Sequence, residues 1–105
     1  MNYTTLQVSG VKVRLISEEE SRRLKSPRLR AVARVALSDQ LQLNGLRVYD
    51  GENGLFVYYP SEPPVESSTC FHQLYFPLVS ALRAAIEKAV LSLYLKGGGK
   101  DGDVL

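Results

Sequence analysis

Thirteen cationic side chains are the residues best equipped for chemistry in this 105-residue chain. Eight are arginines, six of them at positions 14, 22, 23, 28, 30 and 34, so positive charge gathers in the first third. Arginine presents a planar fork of donors that matches phosphate oxygens, so nucleic-acid contact is one reading, but each arginine taken singly is assigned first to a solvated or salt-bridged surface role. The net charge of +2 is too small to mark such a protein by itself, so the distribution has to carry the argument. The candidates are Arg28, Arg30, Arg34 and Arg47, followed by Arg83, Lys88 and Lys96 in a C-terminal helix. Tyr49, Tyr58 and Tyr59 are assigned first to cross-strand packing or a dimer core, with stacking on bases as the second reading.

Enzyme signatures are scarce. Cys70 and His72 are the only thiol and imidazole, and two positions apart in an extended strand they sit roughly 7 Å apart, too far for a thiol–imidazole hydrogen bond. Two ligands do not make a zinc site. Gly97-Gly98-Gly99 follows a helix, whereas glycine loops that cradle phosphates precede one. No catalytic residue, metal, cofactor or small-molecule substrate is therefore expected. A lone cysteine excludes an internal disulfide, and Met1-Asn2-Tyr3-Thr4-Thr5 lacks the regions of a signal peptide, so the expectation is a cytoplasmic protein with no membrane partner.

The elements that must position these residues are legible from periodicity. Leu6 and Val8 alternate in one phase and Val11, Val13 and Leu15 in the other, with Gly10 at the phase change suggesting a bulge. Ser17-Glu18-Glu19-Glu20-Ser21-Arg22-Arg23 has capping-box spacing and acid–base pairs four apart, yet so little apolar surface that a solvated charged loop is favoured. Leu29, Ala31, Ala33, Val35 and Leu37 alternate with Arg28, Arg30, Val32, Arg34 and Ala36, which makes a strand with one apolar and one arginine-bearing face. Ser38-Asp39-Gln40 should turn the chain, and Asn44-Gly45 is read as a bulge rather than a second turn.

Leu46 to Ser61 forms a hairpin around Asp50-Gly51-Glu52-Asn53-Gly54, with both glycines following residues that tolerate left-handed geometry. Its second strand is apolar on both faces, Leu55, Val57 and Tyr59 on one and Phe56 and Tyr58 on the other, so it needs two covers. One is a helix over 80–95, whose main stripe is Val79, Leu82, Ile86, Ala89, Val90 and Leu93. Its smaller stripe, Ala84, Leu91 and Leu95, is either a partly exposed end or a subunit contact. The proline-rich stretch 60–69 reads as an irregular loop, a short strand is expected at 71–76, and the glycine-rich segment 97–105 as a disordered tail beyond a single domain 1–96.

On these residues the chain resembles the stage V sporulation protein G family, small bacterial proteins also described as septation regulators. The likeness runs without gaps from Arg28 to Ser61: Arg28, Arg30 and Ala31, then Arg47-Val48, Asp50-Gly51, Gly54-Leu55-Phe56-Val57 and Pro60-Ser61. It resumes at Pro77 and in the helix at Arg83, Ile86, Ala89-Val90-Leu91 and Tyr94. The resemblance implies an α+β fold, an antiparallel sheet of four to five strands with a packed C-terminal helix, and a homodimer. It also implies nucleic-acid binding, DNA ahead of RNA, that regulates gene expression and, in spore formers, septation. Where the family carries basic residues after Pro-Ser, this chain has Glu62, with Glu66 further on, and Ala85 replaces a basic helix position. These departures motivate the alternative of a protein-interaction module that kept the fold and lost nucleic-acid affinity.

Overall fold

The structure is a computed structural model describing residues 5–62 and 72–105. Its strands are β1 (Val8–Leu15), β2 (Leu29–Leu37), β3 (Leu41–Gly51), β4 (Gly54–Tyr58), β5 (Ser61–Glu62), β6 (His72–Gln73) and β7 (Gly99–Gly102). The helices are α1 (Glu18–Arg23) and α2 (Ser80–Leu95). Five strands form one antiparallel sheet in the order β4-β3-β2-β1-β7, and β5 and β6 pair as a short separate ribbon. The α+β architecture with a C-terminal helix is therefore the expected one.

β2 lies at the centre, and its alternation decides which side chains go where. Its apolar set pairs across the sheet with apolar residues: Val35 with Val11, Ala33 with Val13 and Leu46, and Ala31 with Val48. All of these are buried together with Val57, Tyr59, Ile86 and Val90, so α2 packs on this face. Side chains in a strand change face at every residue, which leaves Val32 and Arg34 on the opposite face.

Three register shifts interrupt the pairing: one lies at the start of β2, between Leu29 and Ala31, and the other two are bulges that keep the apolar residues in phase. Opposite the single residue Arg34, between the pairs Ala33/Leu46 and Val35/Leu43, β3 supplies both Asn44 and Gly45. The extra residue lets Leu43 and Leu46 share the helix-side face although they differ in parity. Gly45 carries a φ of +86°, a left-handed value that suits glycine. The second bulge falls between Val8 and Gly10, as the change of phase there predicts.

Turns are held by their neighbours. Ser38 and Asp39 both have positive φ, 50° and 54°, and the Gln40 amide donates to the Leu37 carbonyl at 3.0 Å, the geometry of a tight hairpin. The segment before β1 holds this turn, because the Ser38 amide donates to the Gln7 carbonyl at 2.7 Å and the Asp39 amide to the Ser9 hydroxyl at 2.9 Å. In the β3–β4 hairpin Gly51 pairs with Gly54 around Glu52-Asn53, and only Gly54 is left-handed, with φ of 110°.

Two segments depart from expectation. The stretch favoured as a charged loop contains α1, six residues long. Ser17 accepts from the Glu20 amide at 3.2 Å, three acids occupy the first turn and two arginines the last, each favourable to the helix dipole. The helix turns a polar residue inward: Ser21 is buried, and its hydroxyl donates to the Ser26 carbonyl of the turn that follows.

The second departure is the expected disordered tail, which enters the sheet as β7. At the end of α2 the Gly98 amide donates to the Leu93 carbonyl at 2.9 Å and the Gly97 amide to the Tyr94 carbonyl at 3.0 Å, a Schellman ending. Gly97, Gly98 and Gly99 all have left-handed φ, which turns the chain back to pair Gly99 with Val13 and Gly102 with Gly10. The glycines that suggest flexibility in sequence are those required for this reversal. The strand expected over 71–76 is observed only as His72–Gln73, and Cys70, Glu66 and the rest of 63–71 lie outside the described residues.

A Cβ on Gly102 would collide with the Ser9 carbonyl oxygen and stand 2.9 Å from the Gly10 Cα, whereas one on Gly99 meets nothing within 4 Å. Gly102→Ala is expected to cost about 1–3 kcal/mol in urea unfolding and to speed amide exchange across β7. Gly99→Ala should cost less, since only its φ is strained.

Tyr75 supplies a second test. Its hydroxyl donates to the Asn44 carbonyl at the β3 bulge, and burial, then the neighbouring Tyr59, pushes its phenol up to about 12 from an ordinary 10.0. An acid held protonated by folding contributes its stability fully below the unfolded value and loses it as pH climbs through the folded one. The thermal midpoint should therefore fall between pH 10 and about 12, and Tyr75→Phe should make that fall shallower.

Candidate nucleic-acid interface

The sheet face opposite α2 carries the candidate site. Cross-strand pairing places Lys100 beside Lys12 and Lys12 beside Arg34, a row of three cations on β7, β1 and β2. The next row runs Arg14, Val32, Arg47 and Tyr58 across β1 to β4. Beyond it Tyr49 pairs with Phe56. The face is thus basic toward β7 and aromatic toward β4.

Ion pairing consumes part of this charge. Arg14 reaches Glu20 of α1 at 3.3 Å, and Arg30 lies 4.0 Å from Asp50 while also donating to the Pro27 carbonyl at 3.1 Å. Arg34 donates to the Leu105 main-chain oxygen at 2.9 Å. Lys12, Arg47 and Lys100 form no salt bridge among the described residues. The segment after β7 covers one corner of the face, where Val104 and Ala36 are both buried.

The aromatic end is built on the hairpin. Tyr49 and Phe56 rings stack with centroids 5.7 Å apart and planes 19° apart, and Tyr58 meets Tyr49 edge-on at 5.7 Å. Arg47 donates to the Tyr49 hydroxyl at 3.3 Å, and the Tyr58 hydroxyl is hydrogen-bonded to Ser61. Gly51 makes room for the stack, because a Cβ there would stand 2.8 Å from Phe56 Cε1. Phe56 remains 47% exposed.

The seven cations expected to bind nucleic acid are divided by the fold. Arg34 and Arg47 share the open face, Arg30 lies in the register shift at the start of β2 beside Asp50, and Arg28 is exposed in the turn just before β2. Arg83, Lys88 and Lys96 belong to the layer on the other side of the sheet. The Arg83 guanidinium lies over the Tyr59 ring, 5.1 Å from its centroid, and Nη1 is 3.9 Å from Glu87. This cation–π contact caps a tyrosine whose buried hydroxyl has no hydrogen-bond partner among the described residues. Burial and then Glu87 raise the Tyr59 phenol, while Arg83 pulls it down.

Three cations join the face without having been singled out. Lys12 and Arg14 alternate with the buried Val11 and Val13, so the signal was present in the period-2 pattern of β1. Lys100 had no such signal, because nothing local distinguishes β7 from a tail. No group of three or more metal-ligating side chains occurs among the described residues, and no helix there is long and apolar enough to cross a membrane.

An apolar groove lies on the opposite, helix side, at the start of α2. It has a volume of about 360 Å³ and is lined by Leu6, Leu41, Phe76, Leu78, Val79 and their buried neighbours. Leu78 is 88% exposed at its rim. The smaller helical stripe is divided, since Leu91 packs against the core while Ala84 and Leu95 are exposed.

Comparison with known proteins matches the sequence to one family. The SpoVG family pattern covers residues 6–96. The chain is similar to the septation protein SpoVG of Oceanobacillus iheyensis, 33% identical over 93 residues, covering 89% of this chain and 88% of that one. It is also similar to septation protein SpoVG 2 of Listeria monocytogenes, 32% identical over 96 residues, 91% of this chain and 85% of the relative. The SpoVG of Phytoplasma australiense is 32% identical over 89 residues, 85% of this chain and 83% of its own length. The matched span takes in the paired strands β1 to β4 and all of α2, and the chain belongs to the SpoVG family.

Proposed function

We propose that the open sheet face binds nucleic acid, DNA ahead of RNA, and that the protein acts as a homodimeric regulator of the septation and sporulation type. The observation that carries this reading is the row Lys100, Lys12 and Arg34. Like charges directly opposed on a sheet are destabilising, each pair by up to about 1 kcal/mol. A polyanion laid across the row removes that repulsion and gains counterion release as well. Arg47 extends the field toward the aromatic end, while Arg14 and Arg30 would have to leave Glu20 and Asp50 to contribute.

Dimerisation is the second component. The groove beside α2 offers apolar surface that a second copy of the chain would cover, and it lies away from the cationic face. Light scattering is expected to report twice the 11.7 kDa chain mass, and 11.7 kDa at micromolar concentration would refute the dimer.

An electrophoretic shift on the purified chain, with mixed DNA and RNA at low and high salt, tests the binding. Retardation should fade with salt, with a log–log slope of about −0.9 for each duplex phosphate neutralised. Lys12→Glu with Arg34→Glu should weaken binding at least about tenfold. Arg83→Gln with Lys88→Gln should leave affinity nearly unchanged while lowering stability by about 0.5–1 kcal/mol through the lost contact with Tyr59. The reverse pattern would move the contact to α2. Absence of any shift would favour the protein-interaction module instead.

A further inference from the structure

We infer that Tyr49, Phe56 and Tyr58 form a base-stacking platform, so that the ligand of the open face is single-stranded nucleic acid rather than a duplex. The inference rests on the nucleic-acid reading above and adds to it the form of the ligand. Three aromatic rings lie side by side on two strands at the edge of a sheet, and the most exposed, Phe56, carries no polar atom. The hydroxyls of the other two are tied down, Tyr49 by Arg47 and Tyr58 by Ser61. Their rings are therefore held in place before any ligand arrives.

A duplex hides the π-faces of its bases inside the stack and offers a flat sheet only phosphates and groove edges. For such a ligand, exposed rings beside the cations would gain nothing. A single strand has both unpaired π-faces and a flexible backbone, and proteins that hold it combine a cationic track with aromatic stacking. Here the track runs across the sheet from Lys100 through Lys12 to Arg34, with Arg47 between it and the rings. A strand crossing from β7 toward β4 would lay phosphates on the basic rows and bases on the platform. Gly51 fits the same arrangement, since any side chain there would displace the Phe56 ring.

The experiment compares labelled twelve-nucleotide dT, the equivalent oligo-U, and a duplex of the same length, by fluorescence anisotropy on the full chain at low salt. The single strands are expected to bind at least about tenfold more tightly than the duplex. Phe56→Leu, which keeps apolar bulk and removes the π-face, should weaken single-strand binding by about 5- to 150-fold and leave the duplex value unchanged. Tyr58→Leu serves as the second variant, and circular dichroism and light scattering are run on each sample.

Equal or tighter duplex binding, or variants that keep full single-strand affinity, would overturn the platform while leaving the nucleic-acid reading intact. Conversion of a dimer to a monomer by Phe56→Leu would also overturn it, by showing that two copies cover this face. If neither form binds even at low salt, the nucleic-acid reading falls and the platform with it. The dT and oligo-U arms separate a DNA from an RNA ligand.

Discussion

The alternation along β2 is the constraint on which the rest of the molecule depends. β2 is central, so Ala31, Ala33, Val35 and Leu37 meet partners from both neighbouring strands, and all four are buried in the core that α2 covers. A slip of one residue would send all of them to the opposite face and bring Arg34 into the core. Burying an unpaired guanidinium group is far costlier than any local gain from another pairing. Register, core and arginine placement are thus consequences of one pattern.

The bulges are how neighbouring strands accommodate that pattern. Leu41 and Leu43 precede Asn44-Gly45 with odd numbering, Leu46 and Val48 follow with even, and one extra residue puts all four on the helix side. Tyr75 closes over this irregularity by bonding the Asn44 carbonyl, and its ring meets Tyr59 at 6.3 Å, beneath Arg83. A backbone irregularity, a buried phenol and a helix cation are in this way joined in one structural unit. Arg83 sits inside that unit, which accounts for its position without reference to any ligand.

On the opposite face the same alternation leaves charge and aromatic rings on display. The hairpin from Leu46 to Ser61 has two apolar sides, and α2 covers only the one carrying Leu55, Val57 and Tyr59. Among the described residues, Phe56 stacks on Tyr49 and stays 47% exposed, while Tyr58 meets Tyr49 edge-on and its hydroxyl bonds Ser61. Cations from β1, β2, β3 and β7 adjoin them because these strands are neighbours in the sheet, although Lys12 and Lys100 are far apart in sequence. The functional reading is drawn from that adjacency.

The sequence by itself determined the strand periods, the bulges at Gly10 and at Asn44-Gly45, the extent of α2 and the family, because each is written in local alternation, helical spacing or a short motif. It left α1 and β7 unresolved. α1 turns a buried serine inward rather than an apolar stripe, and β7 consists of Gly99, Lys100, Asp101 and Gly102, which have no strand propensity of their own. Only the tertiary structure decided that those glycines reverse the chain at the end of α2 and offer their backbone to the exposed edge of β1. It likewise decided which cations stand together. Period-2 alternation puts a cation on one face of its own strand, but which cations stand together follows from strand order, which long-range backbone pairing sets and local sequence does not.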